Sequence, residues 1–286
     1  MPVMEQSNWQ ITYEWSRDSG LVLGSCGFNG QPILYRASVP FVYVDYEGDA
    51  FGPFTDKLRS LSSEVSVREI MFGFDVRVSY DAFGPDYQYE HIWRFLADGQ
   101  FGCRVVIHGP GEEIQGHHTY HIPFRYDLDV GGRDRDSFQR RRSRKSGGGA
   151  WANVSKEGRF RAAGAGPRRY EWRVVDKGSD RRVSLRPGQH DSGELWVLQY
   201  SDIEHWSSWG GAMEGTPGSP GSVPAVYANR QPVQEADLVL WYIAHVPSDE
   251  LPTACGPWLH AEGFGRIELE APPDHGPGET EHHHEG

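Results

Sequence analysis

The segment from His118 to Val130 concentrates side chains that can bind metals or transfer protons. Its apolar, aromatic and β-branched residues predict a β-strand, in which every second side chain lies on the same face. His118 and Tyr120 are therefore expected on one face, with Thr119 and His121 on the other. Two imidazoles at same-face positions would form half of a copper or zinc site, and here a phenol takes the second place. A phenol has a pKa of about 10, so it binds copper only after that pKa has fallen far.

The overall composition limits the kinds of partner and compartment. The chain has 286 residues and a net charge of −12, which argues against nucleic acid as the main partner. It contains no apolar run of the length that spans a membrane, and the residues after Met1 lack the features of a signal peptide. Cys26, Cys103 and Cys255 are odd in number and far apart, as free thiols are. We therefore expect a cytoplasmic protein with no membrane partner and a small-molecule substrate.

The elements that would position these side chains are short strands. Eleven β-branched or aromatic segments are separated by Gly, Pro, Asp and Asn, and Ala97 to Gln100 has the composition of a hairpin turn. The pattern allows one or two helical turns at Thr55 to Leu61. Such a sequence predicts an all-β fold, a large antiparallel β-sandwich formed by a single domain over residues 8–271. Residues 272–286 are rich in Pro, Gly, Glu and His and predict a disordered tail.

A set of stretches occurs in a characteristic order along the chain: Gly20 to Leu23, Pro32 to Ser38, Asp86 to Tyr89 followed by Trp93, His118 to Val130, Trp172 to Val175, Leu195 to Val197, and Asp237 to Tyr242 followed by His245-Val246-Pro247. Together these stretches resemble the catalytic β-sandwich of the copper/topaquinone amine oxidases. The similarity covers most of residues 8–270. The resemblance implies the large sandwich of that family and, as in the family, a homodimer.

The resemblance also implies a chemistry. In that family copper and oxygen convert a tyrosine into topaquinone, the quinone condenses with a primary amine, and an aspartate removes the α-proton. Tyr87 lies at the position of the cofactor tyrosine, and Asp86 and Tyr89 belong to the same motif. Asp45 lies near the position of the catalytic base. The family pattern is broken at Asp86, which replaces an Asn, and at Phe83, which replaces a Thr.

Two metal sites follow from the same resemblance. His118 lies at the first copper ligand, Tyr120 at the second and His245 at the third, and His121 could replace Tyr120 if a bulge rotated the strand. A peripheral calcium site would take Asp127, the main-chain carbonyl of Leu128, Asp129 and Asp237, an all-oxygen ligand set that suits a hard cation.

The leading prediction is a copper-dependent oxidoreductase that oxidises a small amine-bearing molecule through a quinone derived from Tyr87. The departures at Phe83, Asp86 and Tyr120, together with Phe41 in place of a family tyrosine, leave two alternatives open. One is an enzyme that lacks topaquinone and catalyses a different reaction, with or without metal, in the same pocket. The other is a binding protein without catalytic activity, because a fold alone does not determine chemistry.

Overall fold

The structure is a computed structural model that describes residues 3–16, 20–46, 54–58, 61–82, 87–109, 117–142, 149–161, 170–188, 192–201, 222–250 and 254–265. Within these ranges almost every element is a strand. In chain order the strands are β1 (Val3–Gln6), β2 (Trp9–Ser16), β3 (Gly20–Phe28), β4 (Gln31–Ser38), β5 (Phe41–Tyr46), β6 (Phe54–Lys57), β7 (Leu61–Ile70), β8 (Gly73–Asp81), β9 (Gln88–Leu96), β10 (Gln100–His108), β11 (His118–Leu128), β12 (Asp136–Arg142), β13 (Ala152–Asn153), β14 (Gly158–Arg161), β15 (Tyr170–Asp176), β16 (Arg182–Arg186), β17 (Glu194–Gln199), β18 (Gln234–Ala236), β19 (Leu238–Pro247), β20 (Ala254–Cys255) and β21 (Trp258–Glu262). A short helix, α1 (Ser222–Tyr227), and a 3₁₀ turn at Ser248–Glu250 complete the elements.

The strands form two large antiparallel sheets. The first has the order β1-β2-β3-β4-β11-β19-β17-β14, with β5 paired to β11 and β6 paired to β5. The second has the order β13-β12-β15-β16-β21-β10-β9-β8-β7, with β18 paired to β12 and β20 paired to β10. The predicted antiparallel β-sandwich is confirmed.

One hydrophobic core joins the two sheets. Trp9 of the first sheet packs edge-on against Phe95 and Phe101 of the second, with ring centroids 5.1 and 5.2 Å apart. Near the middle of the core, Tyr126 of β11 meets Trp93 of β9 at 6.2 Å. We call the face of the first sheet that meets this core the inner face, and the opposite face the outer face. The outer face carries a smaller apolar cluster, which includes Trp241.

The structure corrects one element of the sequence prediction and confirms another. Thr55 to Lys57 are not helical, because Phe54–Lys57 forms β6 and pairs with β5, whereas residues 59 and 60 lie outside the described ranges. Ala97 to Gln100 forms the expected hairpin turn between β9 and β10, and Gly99 occupies it at a φ of +88°. Among the described residues, no helix has the length and apolar character needed to span a bilayer. The predicted tail, residues 272–286, lies outside the described residues.

Candidate active site

Strand β11 carries most of the predicted site, and its neighbours determine where each side chain points. Pairing with β5 places His118 opposite Tyr46. Pairing with β19 places His121 opposite His245. Opposed residues of two paired strands share a face, and neighbouring residues of one strand do not. His118 and Tyr120 therefore lie on the inner face, whereas His121 and His245 lie on the outer face.

A row of polar side chains crosses the inner-face core. The hydroxyl of Tyr89 donates a hydrogen bond to Oδ2 of Asp56 at 2.5 Å, and it lies 2.8 Å from the hydroxyl of Tyr87. The rings of Tyr87 and Tyr120 meet edge to face, with centroids 6.3 Å apart. The hydroxyl of Tyr120 lies 2.8 Å from Nε2 of His118. We call these five residues the inner-face cluster, in which three phenols link a carboxylate to an imidazole.

Both sheets contribute to the inner-face cluster. Tyr89 is on β9 of the second sheet, and Tyr87 directly precedes that strand. His118 and Tyr120 come from β11 and Asp56 comes from β6, all in the first sheet. Tyr89 and Tyr120 are fully buried, and Tyr87 is nearly so. The cluster is therefore fixed by the packing of the sandwich itself, as a precise site requires.

Burial dominates the electrostatics of the cluster. It raises the pKa of Tyr87, Tyr89 and Tyr120, and the nearby charge of Asp56 raises each of them further. Burial also raises the pKa of Asp56, although the hydrogen bond from Tyr89 opposes this effect. The phenols therefore keep their protons, and Asp56 holds a proton more readily than an ordinary carboxylate. A carboxylate with a raised pKa is suited to act as a general base or acid near neutral pH.

Two further aromatic rings lie at the Asp56 end of the cluster. Tyr46 lies with its ring 4.8 Å from that of His118 and 5.8 Å from that of Phe54. Burial and the charge of Asp56 raise the pKa of Tyr46. Asp56 and Tyr46 are both partly exposed, so solvent reaches the cluster at this end. A carboxylate among the faces and edges of aromatic rings is an arrangement that binds organic cations.

The structure places the predicted catalytic base, Asp45, on the other face of the sheet from the tyrosines. Asp45 is exposed and lies opposite Thr119, which shares the outer face with His121. It therefore points away from Tyr87. Asp56, which the prediction did not include, is the carboxylate that reaches the tyrosines. Its strand, β6, is only four residues long, so the local sequence carries no clear signal for it.

The donors on the inner face do not fit the predicted three-ligand copper centre. Nε2 of His118 contacts the hydroxyl of Tyr120, and burial raises the pKa of that phenol, so a copper ion would have to displace a tightly held proton there. His121 and His245 lie on the other face of the sheet. In the described part of the chain, no three His, Cys, Asp or Glu residues are grouped so that they could hold one metal ion. Asp86, predicted to flank the cofactor, lies outside the described residues.

The outer face holds a second polar group, which we call the histidine pair. Nδ1 of His121 lies 2.6 Å from Nδ1 of His245, and the two rings are nearly perpendicular. Nε2 of His245 lies 3.9 Å from Oε2 of Glu194. Arg159 bonds Glu194, as does Nε1 of Trp196 at 3.0 Å. Burial, together with the neighbouring imidazole of His245, lowers the pKa of His121 to about 3, so His121 is neutral.

The calcium candidates lie together at one cavity of about 350 Å³. Its lining comprises Tyr35, Asp127, Leu128, Asp129, Arg133, Tyr200 and Asp237. Two of the carboxylates already face cations, since Arg125 lies 3.2 Å from Asp127 and Arg133 lies 3.1 Å from Asp237. The arginines reduce the negative charge that a hard dication needs. Calcium binding there stays a prediction.

Comparison with known proteins supports the fold only. No protein-family model and no curated protein matches the chain. Among solved structures, the lysyl oxidase of Pichia pastoris has a TM-score of 0.71 at 14% identity, over 92% of this chain and 52% of that enzyme. A copper-containing benzylamine oxidase from Hansenula polymorpha has a TM-score of 0.67 at 14% identity, over 92% of this chain and 60% of the other.

An amine oxidase of Aspergillus nidulans is similar to the same extent, with a TM-score of 0.63 at 13% identity over 90% of this chain and 51% of that protein. The chain therefore spans between about half and three fifths of the length of these enzymes. At such low identity the likeness concerns the backbone. It shows that this chain has the β-sandwich fold found in these amine oxidases.

Proposed function

We propose that this chain is an enzyme that binds a small amine-bearing molecule at the inner-face cluster and transfers protons with Asp56 as the base. The observation that carries the proposal is the row of polar side chains from Asp56 through three tyrosines to His118, with hydrogen-bond distances between Asp56 and Tyr89, between Tyr89 and Tyr87, and between Tyr120 and His118. The fold shared with amine oxidases supports an amine as the ligand.

The amine would be recognised by charge and by aromatic surfaces. Its ammonium group would donate a hydrogen bond to the carboxylate of Asp56. A hydrogen bond between a cation and an anion is stronger than one between neutral groups. Tyr46 and Tyr87 would present ring faces or edges to the rest of the cation. Since Asp56 is partly exposed, the ammonium would enter from that side, while the apolar part of the ligand would face the rings.

The row of phenols would then move protons without exchange of electrons. Asp56 accepts one proton from the bound molecule. The opposite end of the row, at Tyr120 and His118, returns one proton to that molecule, so the number of protons on the enzyme is restored. Tyr89 and Tyr87 lie between these ends and pass a proton by exchanging the hydrogen bonds that they already make. Reactions that need one proton removed and one delivered include isomerisations, additions and eliminations.

Calorimetry of benzylamine binding tests the recognition step. Benzyl alcohol, which has a matched shape and no charge, is the comparison ligand. The Asp56→Asn variant should weaken benzylamine binding about 10- to 100-fold, the effect of losing a charge-assisted contact of about 1.5–3 kcal/mol. The Asp45→Asn variant removes a carboxylate from the outer face and is the matched control, with no change expected. Equal affinity for the two ligands, or equal binding by the Asp56→Asn variant, would overturn the proposal.

The proton-transfer step is tested in D₂O. Amines that bind are incubated with the enzyme, and NMR follows deuterium incorporation or conversion of the amine. We expect the change with wild-type protein and its loss with Asp56→Asn. A bound amine that neither exchanges nor converts would leave a binding protein and contradict the catalytic part of the proposal.

Copper-dependent amine oxidation at Tyr87 is the second candidate, favoured by the fold that the chain shares with a copper-containing benzylamine oxidase. Metal-free protein is given Cu(II) in air, and intact mass and visible absorption are recorded. A mass change localised to Tyr87, with a quinone band that shifts on adding phenylhydrazine, would establish that candidate. We expect no mass change at Tyr87 and no visible absorption, because the donors around Tyr120 do not fit a copper centre.

A further inference from the structure

We infer that the second sheet binds a phosphate group, free or as a monoester, on the face that points away from the core. The site is formed by four arginines, Arg141 of β12, Arg173 of β15, and Arg182 and Arg186 of β16. We call these four residues the arginine patch. Because the inner-face cluster lies between the two sheets, the arginine patch is separate from the proposed acid–base function and does not depend on it.

Strand pairing gathers the arginine patch around Arg173. The neighbours of Arg173 along β15, Trp172 and Val174, are fully buried in the core, so Arg173 points away from it. Arg173 lies opposite Gln139 of β12 on one side and opposite Ser184 of β16 on the other. Each of the other three arginines lies two residues from Gln139 or Ser184 in its own strand. Residues at such diagonal positions share a face and have Cα atoms about 7–8 Å apart, a distance that arginine side chains can span to reach one ion.

The charges of the arginine patch are only half balanced. Arg141 contacts Glu171, and Arg182 contacts Glu262 at 2.8 Å. Within the described ranges, the other two arginines have no carboxylate at salt-bridge distance. Four arginines and two carboxylates leave two positive charges. A phosphate monoester carries a charge of about −1.5 to −2 at pH 7, so it balances the patch, whereas a single carboxylate would not.

Arg173 is held in place by its neighbours and still has donors to offer. Its Nε donates a hydrogen bond to Oε1 of Gln139 at 2.7 Å, and its guanidinium carbon lies 4.2 Å from the centroid of the Trp151 ring. Burial, together with the charges of Arg182 and Arg141, lowers the pKa of Arg173, and a bound anion would oppose this repulsion. The Nη atoms of Arg173 make no hydrogen bond to the residues that the structure describes. They are therefore free to bind two oxygens of a phosphate group, the geometry that a guanidinium group favours.

Calorimetry of phenyl phosphate binding to the full chain at low ionic strength tests the inference. Benzenesulfonate, which has a similar shape and a single charge, is the comparison ligand and should bind about 10-fold more weakly or less. Arg173→Gln should weaken phenyl phosphate binding about 10- to 100-fold. Arg173→Lys should also weaken it, because an ammonium group lacks the planar fork of a guanidinium group. Arg68→Gln removes an exposed arginine from β7, on the same face of the same sheet, and is the matched control with no change expected. Inorganic phosphate distinguishes the source of the group, since a free ion as the natural ligand would bind as tightly as the ester and an organic monoester would bind more tightly.

A second measurement is made on the wild-type protein. In nitrogen-15 NMR of the arginine Nε groups, the resonance of Arg173 is identified by its absence in Arg173→Gln. That resonance should shift as phenyl phosphate is added, whereas the resonance of Arg68 should not. Equal binding of phenyl phosphate and benzenesulfonate, full binding by the Arg173→Gln variant, or an equal loss in Arg68→Gln would each overturn the inference. Benzylamine binding that depends on Asp56 would be unaffected by any of these results, so failure of this site is distinguishable from failure of the proposed function.

Discussion

Replacing His91 by leucine should flatten the acid dependence of stability. His91 lies on β9, two residues after Tyr89, and is completely buried with its ring edge-on to Tyr80 at 4.8 Å. Neither of its ring nitrogens has a hydrogen-bond partner in the described part of the chain. Burial lowers the pKa of His91 to about 3, since a charged imidazole would lose its hydration without gaining a partner.

The size and sign of the effect follow from the two pKa values. The unfolded chain binds a proton at His91 with a pKa of about 6.5, whereas the folded protein takes it up only near 3. The stability that neutral His91 provides is therefore present above pH 6.5 and lost as the pH falls toward 3. Between pH 7.5 and 5.0 the loss from this one group amounts to about 2 kcal/mol.

Urea unfolding at pH 7.5 and 5.0 measures this loss. Other groups also titrate in this range. The change in the free energy of unfolding between pH 7.5 and 5.0 is therefore measured for the wild-type protein and for the His91→Leu variant, and the two changes are compared. The wild type should lose about 2 kcal/mol more than the variant. His108→Leu, at an exposed position, serves as the control. If the wild type and His91→Leu lose the same free energy of unfolding, the reasoning about His91 is refuted.

Three further predictions concern the site and the core. Tyr89→Phe removes the hydrogen bond that lowers the pKa of Asp56, so that pKa should rise further, as measured by ¹³C NMR of the labelled carboxyl group. Asp75→Asn removes the charge of the buried carboxylate, which lies 2.7 Å from Arg94, and should cost about 1.5–3 kcal/mol in urea unfolding. Ile122→Ala opens a cavity on the inner face of β11 and should cost about 2–5 kcal/mol in the same assay.

Each of these predictions has a matched control. Tyr35→Phe changes an exposed phenol and should leave the pKa of Asp56 unchanged. If the pKa of Asp56 stays the same or falls in the Tyr89→Phe variant, the hydrogen bond from Tyr89 does not govern that pKa. Glu64→Gln and Val67→Ala alter exposed positions of β7 and should change the free energy of unfolding by less than about 0.5 kcal/mol. Core variants that behave like these surface variants would contradict the packing described for the sandwich.

Local patterns in the sequence were sufficient for much of the fold and for part of the site. The alternation of side chains along β11 predicts that His118 and Tyr120 share one face while His121 faces the other way, and the structure has this arrangement. Strand alternation is a property of the backbone itself, so it needs no knowledge of distant residues.

The pairing of distant strands was beyond the reach of the sequence. The family resemblance places His245 at the same ion as His118, whereas the register of β19 on β11 places it opposite His121. A register change of one residue would have reversed that outcome. Asp56 was missed for a related reason. Its strand, β6, is only four residues long and gains its structure from pairing with β5, so local composition does not distinguish it from a helical turn.

A crystal structure of the protein with benzylamine bound tests the central claim most directly. The account predicts that the ammonium nitrogen lies within hydrogen-bond distance of Asp56 Oδ2, with the ring of the ligand against Tyr46 or Tyr87. An ammonium group bound instead in the acidic cavity at Asp127 and Asp237, or a ligand that leaves the bond between Tyr89 and Asp56 untouched, would contradict the assignment of the inner-face cluster as the active site.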